Sequence, residues 1–172
     1  MKHLRLFENF DQNEILYHGT RKEFANFKIG ADIATPTYGG TVDQDLGIFF
    51  TDNLTMAKWF AGRTKYDVDK TETYVDVPGP GRVISVKLDL KNPWILNDQI
   101  DEVDEEDPGQ DYFDVVKDAG GGAAFRKKLE AEGYDGVIVN DVTTNYYEGT
   151  SGYSIVVAFD PSQIRTISKN VL

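Results

Sequence analysis

The chain carries 172 residues, a formal charge of −11 and no cysteine, which excludes disulfides, Cys-ligated zinc, iron–sulfur clusters and a thiol nucleophile. Its two histidines, His3 and His18, exclude a His-rich site, so no metal is expected, and the acidic balance argues against direct nucleic-acid binding. With 40% hydrophobic and 27% charged residues it reads as one globular domain with a real core; lacking an apolar run near ~18 residues or a signal-peptide core, it is expected in the cytoplasm and away from membranes.

Residues 1–13 read as a leader or peripheral arm, and 14–172 as the domain. EILYHGT is a short apolar strand ending at a glycine turn. Residues 21–46 are rich in Gly, Thr and Asp and read as loop, anchored by Phe24 and Phe27. LGIFFTD is a second buried strand, after which Asp52 or Asn53 caps the helix LTMAKWFAGR. Leu54, Ala57 and Phe60 share a face of that helix, and Gly62 lies near its end.

TYVDV is a strand closed by the turn PGPG. In GRVISVKLDLKNP, Val83, Ser85, Lys87 and Asp89 face one way and Ile84, Val86, Leu88 and Leu90 the other, which predicts a half-buried strand. The acidic run from Asp98 to Asp118 reads as a solvated loop; it lacks the spacing of a calcium loop. AAFRKKLEAEGYDG is a helix with Phe125 and Leu129 on one face and Gly133 as its left-handed stop. DGVIVND is a strand, NYYEGTSG a loop, and YSIVVAFDPSQIRTIS a closing strand broken at Pro161. Strands first, short helices, then more strands predict an α+β fold with a split, mostly antiparallel sheet. Neither a GxGxxG fingerprint nor a P-loop is present, so a doubly wound nucleotide fold is not expected.

Tyr17-His18-Gly19-Thr20 is the first candidate for chemistry. A histidine at the end of a buried strand either hydrogen-bonds backbone in the core or, with Gly19 letting a ligand approach the chain, donates to a hydroxyl. Phe49 on its strand and Phe60 on the following helix are either core or the two walls of a slot for a flat ring.

YHGT, GIFFTDN with its helix, LDLKNP, GYDGVIV and VAFDPSQI, in this order, resemble the His-Tyr-Glu type of ADP-ribosyltransferase. That group includes poly-ADP-ribose polymerase catalytic domains, diphtheria-type toxins and related bacterial and phage proteins. The resemblance runs from about Ile15 to Ile167. It implies an ADP-ribosyltransferase-like sheet, NAD as substrate, a protein acceptor and transfer of a single ADP-ribose. It implies that His18 bonds the adenosine-side ribose, Gly19 clamps the nicotinamide carboxamide through its backbone and Thr20 supports the turn, with Tyr17 and Thr20 counted among the NAD-binding residues. Phe49 stands where the family has its motif tyrosine and Phe60 where it has a second stacking aromatic.

Two positions depart from the pattern. The family glutamate falls five residues before Asp160, on Ile155, and the nearest carboxylate upstream is Glu148, which becomes the catalytic candidate beside His18. Ala57 stands where the family often has a serine that contacts the carboxamide. Without a glutamate, a weak or inactive NAD-binding domain or a virion structural protein is the alternative. Gln163 is a weaker candidate, otherwise a turn residue. The opening resembles leaders of proteins packaged in tailed-phage heads, cut after an apolar-x-Glu signal that Leu6-Phe7-Glu8 matches. That likeness implies a toxin-like enzyme carried in a virion and acting in a bacterial host's cytoplasm.

Overall fold

The computed structural model describes residues 12–29, 43, 45–67, 73–97, 112–142 and 153–169. β1 (Leu16–Thr20) leads through turns at 21–29 toward β2 (Ile48–Thr51). Asn53 then starts α1 (Leu54–Phe60), its side chain accepting from the Met56 N–H at 3.1 Å, so it and not Asp52 is the cap. β3 (Thr64–Asp67) and β4 (Thr73–Asp76) form a two-stranded ribbon, and β5 (Arg82–Leu88) returns to the main sheet. β6 (Pro93–Asn97), α2 (Tyr112–Asp118), α3 (Gly122–Ala131) and β7 (Gly136–Val142) follow. β8 (Tyr153–Ala158) and β9 (Ile164–Ser168) are separated by a 3₁₀ turn at Pro161–Gln163.

The seven-stranded sheet has the order β6-β7-β8-β2-β1-β5-β9. Its ladders are antiparallel except β6–β7, which is parallel, as a crossover through α2 and α3 allows. One face is covered by helices: Met56, Tyr112, Val116, Phe125 and Leu129 pack on Val137, Val139 and Val157. The other face buries Leu16, Ile48, Phe50, Val86, Ile138 and Val156, with Phe24, Phe27 and Ile164 against them. A small third cluster seats Ala57 and Ala61 of α1 on Val83.

That cluster corrects the half-buried reading of β5. Val83, Ile84, Ser85 and Val86 are all buried, because α1 lies on the face that alternation alone would leave to water. The acidic run is not all loop either. Within it, Tyr112 and Val116 stand one helical turn apart and are both buried, so the apolar stripe of α2 overrides the charge around it. β6 lies almost wholly in residues 94–97, to which the sequence pattern assigns no element; Asn92 parts it from β5, its backbone N–H and that of Lys91 donating to the Asp135 carboxylate at 2.9 and 2.6 Å. β3 was not anticipated. Gly133, at φ +90°, ends α3 as expected.

Candidate functional site

β1 and β2 part where the candidate residues begin. Tyr17 pairs with Thr51, and that antiparallel register, carried on, would set Gly19 opposite Phe49. Among the described residues the ladder stops at that pair, whereas β1–β5 runs over five positions and β2–β8 over four. His18 bridges the gap: its Nδ1–H donates to the Phe49 carbonyl oxygen at 2.7 Å, a group that further pairing would have engaged. A carbonyl can only accept, so a proton sits on Nδ1.

The His18 residue is 6% exposed. Phe24 and Phe27 meet its ring edge-on, with centroids 5.9 and 5.2 Å away, and Phe50 lies at 5.6 Å. The backbone-bonded core histidine is therefore what this position contains, at the edge of an aromatic wall. Gly19 faces the opposite way. A Cβ there would fall on the Ala57 carbonyl oxygen, so α1 can lie on β1 only over a glycine. Tyr17 packs beside Ala57, Ala61 and Val83 on that same helical side. Thr20 is buried, and its Oγ1 accepts from the Lys22 N–H at 3.1 Å, which closes the turn after β1.

Phe49 and Phe60 are half-buried and pack against one core cluster on the helix-covered face. Trp59 joins them, its ring edge-on to Phe60 at 5.1 Å; nothing in the sequence pattern separated it from an ordinary helix-face residue. His18 meets this group through the Phe49 backbone, its ring packing with Phe24, Phe27 and Phe50 on the other face.

A family model for ADP-ribosyltransferase in polyvalent proteins matches residues 12–172. The chain belongs to this ADP-ribosyltransferase family. No curated protein and no solved structure matches it.

Within this ADP-ribosyltransferase domain, Ile155 lies across from Thr51 in the β2–β8 ladder and packs against the same cluster as Phe49 and Phe60. The position that the sequence resemblance assigns to a glutamate is thus apolar in its surroundings as well as its identity. Glu148 lies outside the described residues. The carboxylate one step from Thr51 is Asp52, which accepts from the Ser154 N–H at 2.7 Å and ties the end of β2 to the start of β8. Gln163 is committed to structure: its Oε1 accepts from the Asp160 N–H at 2.8 Å and its Nε2 donates to the Asp135 carbonyl at 2.8 Å. Asp160 caps that turn, and its bonds from Ser162 hold its carboxyl below the usual range.

A second acidic group supports β2 from its other end. Asp43 accepts a bond from the Tyr112 hydroxyl at 3.3 Å. Burial pushes the Asp43 carboxyl up, partly offset by its own backbone and by Tyr112. Burial, with the nearby Asp43 charge, pushes the Tyr112 hydroxyl well above its ordinary value. No group of three or more His, Cys, Asp or Glu suited to a metal occurs among the described residues.

Proposed function

We propose that the chain transfers a single ADP-ribose unit from NAD to a protein acceptor. The bond between nicotinamide N1 and ribose C1′ breaks, and nicotinamide leaves neutral with the electron pair. C1′ bonds to the acceptor nucleophile, whose proton passes to solvent. The observation that carries this reading is the parting of β1 from β2 at Gly19, where backbone edges left out of the ladder can bond a carboxamide. Family membership and the shared cluster of Phe49 and Phe60 support it.

In this reading Phe49 and Phe60 offer π faces to the cationic nicotinamide, worth about 0.5–2 kcal/mol. That attraction fades as the ring loses its charge, so it favours binding more than bond breaking. Acceleration needs a group that gains as positive charge grows on the ribose. Glu148 is the candidate for it, His18 the contact to the adenosine-side ribose, and Thr20 and Tyr17 hold the turn between them.

Ile155 favours a second reading, a domain that binds NAD and transfers slowly. Removing a well-placed electrostatic group costs about 3 kcal/mol. Labelled NAD incubated with the chain and bacterial lysate separates the two. Transfer predicts label on a protein and free nicotinamide, with Phe60→Leu raising KM for NAD. A melting temperature raised by NAD without nicotinamide release supports the binding domain. A folded chain that shows neither response overturns both.

A further inference from the structure

A cavity of about 190 Å³ opens on the sheet face away from the helices, between β1, β5 and β9. Its apolar wall is Phe24 and Phe27 with Ile84 and Ile164; Thr20 and Thr166 add hydroxyls. Lys22, Arg82 and Lys169 also line it, and among the described residues no carboxylate does. In a chain of charge −11, three cations around one opening is a local reversal of sign. Among the described residues, neither lysine is in an ion pair, and Arg82 pairs with Glu23, whose side chain is 79% exposed and free to move aside. The volume falls short of the roughly 300–1,000 Å³ that encloses a whole drug-sized ligand. It takes in one ring system and leaves the remainder of the molecule at the cationic mouth.

We infer that this cavity binds a nucleoside phosphate, with the heterocycle against Phe24 and Phe27 and the phosphate on Lys22, Arg82 and Lys169. Aromatic rings stack a base whatever its identity, and converging cations supply charge-assisted bonds to phosphate oxygens. The same two phenylalanines also pack against the His18 ring, so an occupant here adjoins the seam. The phosphate has two possible sources: the adenosine diphosphate half of NAD, or a separate nucleotide. The inference does not require that the chain transfer ADP-ribose.

ADP, AMP and inorganic phosphate are titrated calorimetrically into the full chain and into a Lys22→Ala/Lys169→Ala variant, whose exposed side chains leave the fold intact. ADP is expected to bind the parent, more tightly than inorganic phosphate, and to lose about tenfold or more in affinity in the variant. Added NAD that displaces ADP identifies the dinucleotide as the source, and additive binding identifies a separate nucleotide; either supports the site. No ADP binding by the parent, or equal binding by the variant, overturns it. ADP binding lost in the variant without any nicotinamide release from NAD leaves this site standing and removes the transferase reading. Nicotinamide release with ADP binding indifferent to the variant does the converse.

Discussion

Gly19 and His18 are adjacent in sequence but do different work. Gly19 lets the Ala57 backbone rest on β1, so Gly19→Ala forces α1 off the sheet. It should cost about 3 kcal/mol of stability, the upper part of the usual range for overpacking, read from urea denaturation. His18→Ala leaves the part-buried Phe49 carbonyl without its donor, at about 1–3 kcal/mol. Loss of labelling in that variant therefore informs on NAD only at a temperature where the variant is folded. Ile155 allows a gain rather than a loss. Ile155→Glu puts a carboxylate into the cluster that holds Phe49 and Phe60, and should raise nicotinamide release from NAD about 10²-fold while lowering the melting temperature. Release no faster than the parent's, in a variant whose melting temperature still rises with NAD, would mean that the nicotinamide ribose is not near β8. His18 was legible in the sequence as a strand-end histidine before glycine. That its ring would reach the Phe49 carbonyl between parting strands was not, because the splay of two strands is a tertiary fact.

Elements with a strong period and a clear stop were legible: β1, β2, α1, α3 and β7 begin and end near their Gly, Asn and Asp punctuation. Those missed are α2, β3 and β6, which match α1, β2 and β1 in length; the first is disguised by charge. Tyr112 shows why α2 forms nonetheless. It is 2% exposed, and its hydroxyl reaches Asp43 just ahead of β2. This contact between elements is pH-dependent. The folded carboxyl of Asp43 has a raised value, so the fold favours its neutral form. That contribution is complete below the unfolded value near 3.8 and is lost as pH rises through the raised folded value. Asp43→Asn stays neutral throughout. Its melting temperature relative to the parent should climb between about pH 3 and pH 7. A constant difference across that range would show that Asp43 is ionised at no cost.

At the scale of the whole molecule, the order β6-β7-β8-β2-β1-β5-β9 brings one of the last two strands to each side of the seam: β8 beside β2, and β9 beyond β5. No local pattern carries that information, since β8 and β9 are neighbours in sequence and lie four places apart in the sheet. Charge acts at this scale too. With −11 on 172 residues, like-charge repulsion is spread over the surface, while each opposing ion pair among the described residues has an exposed carboxylate: Lys58 with Asp76 at 3.0 Å, Lys91 with Asp89, Arg82 with Glu23, and Arg126 with Glu130 at 4.0 Å. Exposed pairs contribute about 0–1 kcal/mol each, so screening should remove more repulsion than attraction. Raising NaCl from about 20 mM to about 500 mM, which shortens the Debye length from about 20 Å to about 4 Å, should then raise the melting temperature of the free chain. The cationic cavity makes the opposite demand, because the same salt screens Lys22, Arg82 and Lys169 from a phosphate. The stabilisation by ADP should accordingly shrink as that of the free chain grows. A melting temperature that falls with salt in the absence of ligand would mean that the cations are better paired with the acidic surface than the described ion pairs suggest, and would weaken the case for cations held ready at the cavity mouth.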